Sequence, residues 1–454
     1  MAPRAWPAAP PAALPPARTT APPTALTAPT VPTPPTPRLA LCTAVVALGG
    51  LLFGFDTGVI SGALLFLREQ LGLSSFQQGT VISVLLLGAA AGALGSARPA
   101  DRFGRKKVLV TVAATFTLGL LLATLATGFW TLLAARAVLG LAVGSASTVA
   151  PLYLTEVAPP RLRGRLVTVN QILLTVGILI SYLVDFAFAG AANWRAMFAV
   201  GLIPSAAMLL GTFAIPETPA WLAQHSRPGT AAPANAGSRS TPGALSALGA
   251  PGTRAALLIG VTLAAVQQFG GINSIIYYAP SIMARAGMGA ANSIGCSVAI
   301  GTVNVLMTIA AVPLIDRAGR RPLLLWSLSG MALSLIALGI ALGPAPGRGG
   351  DLVALIAMAA YVGSFAIGLG PVFWVLAAEL FPPESRARGA SACALVNWAA
   401  NFVVGQTFLP AADLVGERWV FWFFAAVSTA AIVFVLRRVP ETKNRPLSDI
   451  HRSL

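Results

Sequence analysis

Charge is what this chain has least of. Of its 454 residues only 10% are Asp, Glu, Lys or Arg, against roughly 25% in a soluble globular domain, while 56% are hydrophobic. No lone water-soluble core hides that much apolar side chain. Cysteine is scarce too: Cys42, Cys296 and Cys393 each lie inside an apolar run, which suggests neither a disulfide framework nor a CxxC metal site. The two histidines, His225 and His451, fall in a linker and near the C-terminus, so neither an HExxH-type metal site nor an intramembrane histidine relay is available. None of the three lysines (Lys106, Lys107, Lys443) is followed by Ser or Thr. There is thus no GxxxxGK[ST] phosphate loop, which argues against ATP-driven transport by this chain alone. No cofactor and no metal is expected.

What is present is apolar sequence in long pieces. A membrane-spanning helix needs ~20 apolar residues, so twelve would use about 240 of the 454. Twelve runs lie near 39–63, 79–97, 108–127, 131–154, 167–190, 195–215, 255–284, 294–315, 322–343, 352–378, 389–410 and 418–436. They are continuous rather than alternating, which excludes a membrane β-barrel. Residues 1–38 are Ala, Pro and Thr with three Arg; they read as a disordered arm, and they hold no apolar core of a secretory signal. Residues 223–254, rich in Pro, Gly, Ala and Ser, read as a cytoplasmic linker between six-span bundles at 39–222 and 255–440, with a cytoplasmic tail at 441–454.

The net charge of +16 is explained by orientation rather than by nucleic acid. The loops after runs 2, 4, 6, 8 and 10, with the tail, hold 21 of the 30 basic residues, whereas five of the other six loops hold one each and the loop after run 3 holds none. Lys and Arg accumulate on the cytoplasmic side, so both termini are expected inside, in a multi-pass protein of the plasma (inner) membrane.

The two halves repeat. Asp101-Arg-Phe-Gly-Arg105 answers to Asp316-Arg-Ala-Gly-Arg320, at an offset of 215 residues. Glu156-Val-Ala-Pro-Pro-Arg-Leu-Arg163 answers to Glu379-Leu-Phe-Pro-Pro-Glu-Ser-Arg386, at 223, and Pro216-Glu-Thr218 to Pro440-Glu-Thr442, at 224. The predicted fold is therefore an all-α membrane protein of twelve transmembrane helices, built as two pseudo-symmetric six-helix bundles. Parallel repeats of this kind place a substrate site between the bundles near mid-membrane and move by rocking.

Asp56 is read as the one acid deep within an apolar run, and Arg136 as the one base. A charge at the bilayer centre persists where it is paired or functional. Two readings stand: a pair that makes and breaks with a proton, or a permanent ion pair that fixes packing. Amides also fall inside runs: Gln171, Gln267, Gln268, Asn273, Asn304, Asn397 and Asn401. Asn273 and Tyr277, four apart, share a helix face. Neutral amides donate and accept, which suits a polyhydroxyl ligand, and Phe53, Tyr277, Trp374 and Trp398 offer flat apolar surfaces for the C–H faces of a ring. No compensating charge is provided, which points to an uncharged substrate. The competing role for each amide is an interhelical hydrogen bond. Glu156 with Arg386, and Glu379 with Arg163, are candidates to bridge the halves when the inside is closed. Asp101, Arg102, Arg105, Asp316, Arg317 and Arg320 are candidates to tie neighbouring helices; the plain alternative for these bases is orientation alone. Pro151 and Pro371 are expected to interrupt their helices.

These motifs, taken with Gly54-Phe-Asp-Thr-Gly-Val-Ile-Ser61, Gln267-Gln-Phe-Gly-Gly-Ile-Asn273, Gly370-Pro-Val-Phe-Trp374 and Pro440-Glu-Thr-Lys443, make the chain resemble the sugar porters of the major facilitator superfamily, among them bacterial proton-coupled xylose and glucose symporters. The resemblance covers residues 45 to 446 apart from the linker. It implies the major facilitator fold and secondary transport of a neutral monosaccharide, by a monomer in the lipid bilayer with no enzyme activity. It implies sugar contacts at Gln171, Gln267, Gln268, Asn273, Asn304 and Trp374, and the coupling proton at Asp56, where passive facilitators carry a neutral residue. Asn397 stands where many members carry Gln. Ala97, Arg98 and Pro99 depart from the family's pattern beside Asp101, which is expected to stiffen or displace that helix end, and the linker is short where sugar porters carry a helical cytoplasmic domain. Symport is the expected function; a facilitative uniporter and a non-transporting sugar sensor are the alternatives.

Overall fold

A computed structural model describes residues 36–159, 161–225, 251–343, 349–381 and 385–443. Most of the arm at 1–38, most of the linker at 223–254 and the tail beyond 443 lie outside them. The described residues hold twelve helical spans long and apolar enough to cross a membrane and no strand. The chain is an all-α multi-pass membrane protein of two six-span halves.

The first half contains α1 (Thr36–Leu71), α2 (Ser75–Phe103), α3 (Arg105–Thr124), α4 (Phe129–Val157) and α5 (Arg163–Ala189). Its sixth span is made of α6 (Trp194–Val200) and α7 (Leu202–Ala214), and a short α8 (Pro219–His225) follows. The second half opens with a span in two pieces, α9 (Pro251–Phe269) and α10 (Ile272–Arg285), then α11 (Ala290–Ala318) and α12 (Arg320–Ala341). Another broken span, α13 (Gly350–Ile367) with α14 (Leu369–Glu379), precedes α15 (Arg386–Val415) and α16 (Glu417–Arg438). The apolar runs thus mark the spans, and each broken span parts at glycine: Gly201, Gly270–Gly271 or Gly368. Freed backbone groups at two breaks find side chains. Tyr361 Oη donates to the Gly270 carbonyl at 2.7 Å, and Leu369 N donates to Ser327 Oγ at 3.0 Å. Such partners are what lets a helix break inside a membrane. The prolines behave differently from expectation. Pro151 lies within an unbroken α4, Pro99 within α2, which runs on to Phe103, and Pro371 sits just after the Gly368 break.

Within the first half the helices approach backbone to backbone. Gly50, Gly54, Gly58 and Gly62 recur every four residues on α1 and face α5. A Cβ at Gly50 would stand 2.6 Å from the Asn170 carbonyl oxygen, and one at Gly54 would overlap that of Leu174. On α2 and α4, Gly88, Gly92, Gly140 and Gly144 face each other's backbones in the same way. Small residues allow this close packing where lipid supplies no hydrophobic drive between helices. The halves meet along α2 with α15, α5 with α11, and α1 with α10.

Candidate functional site

Asp56 on α1 and Arg136 on α4 are both fully buried and bonded, Nη1 to Oδ1 at 2.6 Å. The Arg136 Nε also donates to the Val81 carbonyl of α2 at 3.2 Å, so the guanidinium is anchored on one side and holds the acid on the other. Asp56 Oδ2 is buried with no partner. It is the free position on this carboxylate for a proton.

The amides gather in the second half. Asn397 on α15 donates to Gln267 Oε1 at 2.7 Å, and its own Oδ1 accepts from Gln268 at 3.1 Å. Gln268 Oε1 accepts from Asn273 at 2.7 Å. Gln267 also donates to the Leu369 and Gly370 carbonyls at the break before α14. Gln268 and Asn273 are five apart in sequence, a poor spacing for one helix face; the break at Gly270–Gly271 brings them together. In this state four of the predicted amides bond one another across α9, α10 and α15, the interhelical role weighed above. These donors and acceptors have the chemistry to exchange with ligand hydroxyls.

The other predicted residues divide. Asn304 and Asn401 are buried, whereas Gln171 and Trp374 are exposed. Phe53 stacks on Trp398 across the halves, 6.2 Å between centroids and 24° between planes. Phe53 is one turn from Asp56, and Trp398 adjoins Asn397. Tyr277, one turn beyond Asn273 on α10, is buried within electrostatic reach of both Asp56 and Arg136. Two short paths, one aromatic and one along α10, therefore join the ion pair to the amides.

At the end carrying the repeated motifs, one network is built twice. Gly104 and Gly319 turn the chain with φ of 103° and 94°, values that favour glycine, and Glu217 and Glu441 then accept the first backbone N–H groups of α3 and α12. Arg105 pairs with Glu156 at 3.0 Å, and Arg320 with Glu379 at 2.9 Å. Thr218 and Thr442 donate to the other oxygens of the same two glutamates. Asp101 adds a 3.1 Å bridge to Arg105. The side chains of Asp316 and Arg386 lie outside the described residues. Among the described residues both glutamates pair within their own half, and Arg163 reaches the Ala158 carbonyl, so the expected Glu379–Arg163 bridge is not made in this state; the expected Glu156–Arg386 bridge falls on a side chain outside the described residues. Arg102 and Arg317 are exposed.

Polar bonds between the halves gather instead at the opposite end. Gln406 on α15 accepts from Ser83 at 2.5 Å and donates to the Phe76 carbonyl at 3.1 Å and to Thr80 at 3.3 Å. Ser75 bonds Asp413, which also takes Arg285 at 2.7 Å. Tyr182 on α5 donates to the Ile276 carbonyl at 2.8 Å. This end is closed. The sequence reading missed Gln406, although it stands in the same helix as Asn397 and Asn401. It also missed Asp185, which lies fully buried in α5; Asp56 is therefore not the sole acid deep within a span. The signal was an acid inside the run 167–190.

The profile of the family described as "sugar (and other) transporter" matches residues 42–244 and 234–454. The chain belongs to this family. A putative metabolite transport protein of Bacillus subtilis is 40% identical over 428 residues, covering 90% of this chain and 93% of that one. The galactose-proton symporter of Escherichia coli is 37% identical, covering 90% and 93%. Among solved structures, the inward-open conformation of the Escherichia coli xylose transporter XylE superposes with a TM-score of 0.77 at 30% identity, covering 91% of this chain and 99% of that one.

Proposed function

We propose that the chain imports a neutral monosaccharide together with a proton by alternating access. The observation that carries this reading is the Asp56–Arg136 pair: a buried acid with one oxygen bonded and one free, joined through Phe53–Trp398 and through α10 to a cluster of uncharged amides. The symporter and xylose-transporter relatives support both the sugar and the proton. Loading Oδ2 neutralises Asp56 and weakens its bond to Arg136. The α1–α5 pair is then free to shift against α2–α4. Sugar hydroxyls exchange for amide–amide bonds among Gln267, Gln268, Asn273 and Asn397, with Asn304, Gln171 and Trp374 completing the contacts. The doubled network at Glu156 and Glu379 braces the motif end of each half as the halves rock. In this reading the motif end and both termini face the cytoplasm, the carrier works as a monomer in the plasma (inner) membrane, and the proton is its only coupling ion.

Asp56→Asn separates coupling from carriage. In proteoliposomes it is expected to abolish uphill accumulation while leaving sugar counterflow exchange. Uphill uptake surviving in that variant refutes the coupling role. The same assay decides the facilitative alternative, for a uniporter moves sugar at a pH-independent rate with no proton movement.

A further inference from the structure

Asp185 is the buried acid to which the transport reading gives no work. Its Oδ2 accepts the Gly62 N–H of α1 at 3.1 Å, and its Oδ1 is buried without a partner. Gly62 ends the glycine row of α1, and a Cβ there would stand 2.5 Å from Asp185 Oδ2, so the carboxyl fills space that only glycine leaves.

The charges on the neighbouring elements are spoken for or distant. On α1, Asp56 holds Arg136, while Arg38, Arg68 and Glu69 are exposed at the ends. On α4, Arg136 is committed to Asp56 and Val81, and Glu156 sits at the motif end with Arg105. On α6, Arg195 donates to the Ala126 carbonyl and lies over Trp194. On α11 no charged residue occurs before Asp316. On α10, Arg285 serves Asp413 and Glu417. On α5 itself, Arg163 and Arg165 are exposed at the far end. Tyr182 is the titratable neighbour within reach, and its hydroxyl is used on Ile276. Among the described ion pairs none reaches Asp185. A carboxylate with a full charge, one hydrogen bond and no cation is among the costliest things to bury; the neutral acid keeps the Gly62 bond and removes the charge.

We infer that Asp185 carries a proton that stays in place through the transport cycle, making it a neutral acid that pins α1 to α5 rather than a second coupling site. The contrast with Asp56 is one of placement. Asp56 reaches across from the α1–α5 pair to an arginine gripped by the α2–α4 pair, a seam that can open. Asp185 lies inside one pair of helices that meet backbone to backbone along a row of four glycines.

Infrared spectroscopy of the purified full chain in nanodiscs tests this. The difference between wild type and Asp185→Asn is expected to show one lost carbonyl stretch of a protonated carboxylic acid, unchanged when the bath is taken from mildly acid to mildly alkaline pH. A difference spectrum showing a lost carboxylate band overturns the inference. If Asp185→Asn does not fold, the Asp56→Asn chain must still show a pH-independent protonated-carboxyl band, and its absence overturns the inference equally. In proteoliposomes, Asp185→Asn is expected to keep sugar accumulation within about twofold of wild type at an unchanged proton-to-sugar ratio. Loss of accumulation with exchange retained makes Asp185 a coupling acid and sinks the claim. This transport arm rests on the symport reading: wild type that never concentrates sugar ends that reading, while the infrared band still decides the proton.

Discussion

Gln406→Ala should tip the carrier toward opening the end that is closed in this structure. The side chain makes three bonds across the halves, to Ser83, Thr80 and the Phe76 carbonyl. A hydrogen bond is worth ~0.5–1.5 kcal/mol net. The bond to Phe76 is exposed and belongs at the low end of that range. Ser83 also has a fallback, since its hydroxyl already lies 3.4 Å from the Thr80 carbonyl. The sum is then about 2 kcal/mol. At ~1.4 kcal/mol per tenfold, the ratio of open to closed at this end rises about thirtyfold. Phe76 and Leu414 are exposed on α2 and α15 at this end, so nitroxide labels there report the gap by pulsed electron resonance in nanodiscs. The expected result is growth of the long-distance population in the Ala variant and restoration of the short one in Gln406→Asn wherever the shorter amide still reaches Ser83. A distance distribution identical to wild type in Gln406→Ala would show that the clasp carries no weight in the equilibrium.

Three further outcomes follow from the geometry. Gln268→Ala strips Asn273 and Asn397 of their shared partner; calorimetry should give a sugar affinity ten- to a hundredfold weaker, about 1.5–3 kcal/mol, and an unchanged affinity removes Gln268 from the site. Gly54→Ala forces a methyl into the Leu174 carbonyl and should cost about 1–3 kcal/mol of stability, whereas Gly95→Ala on α2, with nothing within 4 Å of the added carbon, should gain about 0.5–1 kcal/mol; equal thermal shifts in the two would refute the glycine-row argument. Glu441, beyond the last span, is pushed up by partial burial but pulled further down by the N–H groups of Lys443, Arg320, Arg321 and Thr442, so its carboxyl sits below the ordinary glutamate value. A depressed value gives stability that is fully present above the ordinary value of about 4.3 and is lost as pH falls through the folded one. Glu441→Gln should therefore melt lower than wild type at neutral pH, with the gap closing only in acid; a gap that is absent at neutral pH, or that persists in strong acid, contradicts this.

The spans and their duplication were legible because hydropathy and motif spacing survive without coordinates. The runs found twelve spans, and offsets of 215, 223 and 224 named the residues of a network that the structure builds twice. The partners inside that network were not legible. Six acids and several arginines of the repeated motifs lie at one end with similar spacing, and which carboxylate meets which guanidinium depends on where Gly104 and Gly319 aim the following helices. The helix breaks were hidden for a related reason: an apolar run reads the same whether one helix or two fills it, so the convergence of Gln268 and Asn273 could not be inferred from a spacing of five. Asp185 was legible and overlooked, since an acid near the end of an apolar run passes for an interfacial one until Gly62 on the neighbouring helix shows how deep it lies.

The scarcity of charge and the placement of what charge there is have one cause. The ion pairs at the motif end, Arg105–Glu156 and Arg320–Glu379, are each held within one half and brace that end of it. Strong pairs between the halves would instead trap one end shut, because a ligand shifts a two-state equilibrium only by its differential affinity for the two states. Between the halves the described residues use mainly neutral contacts: the hydrogen bonds of the Gln406 clasp and of Tyr182 to Ile276, and the stack of Phe53 on Trp398, with Ser75 to Asp413 at the rim. Each contributes about as much as one sugar hydroxyl gains on binding. A seam made of such bonds is weak enough for a small neutral ligand to tip. In the proposed cycle, a buried acid that gains and loses its charge against Arg136 then gives a proton gradient direction over that choice.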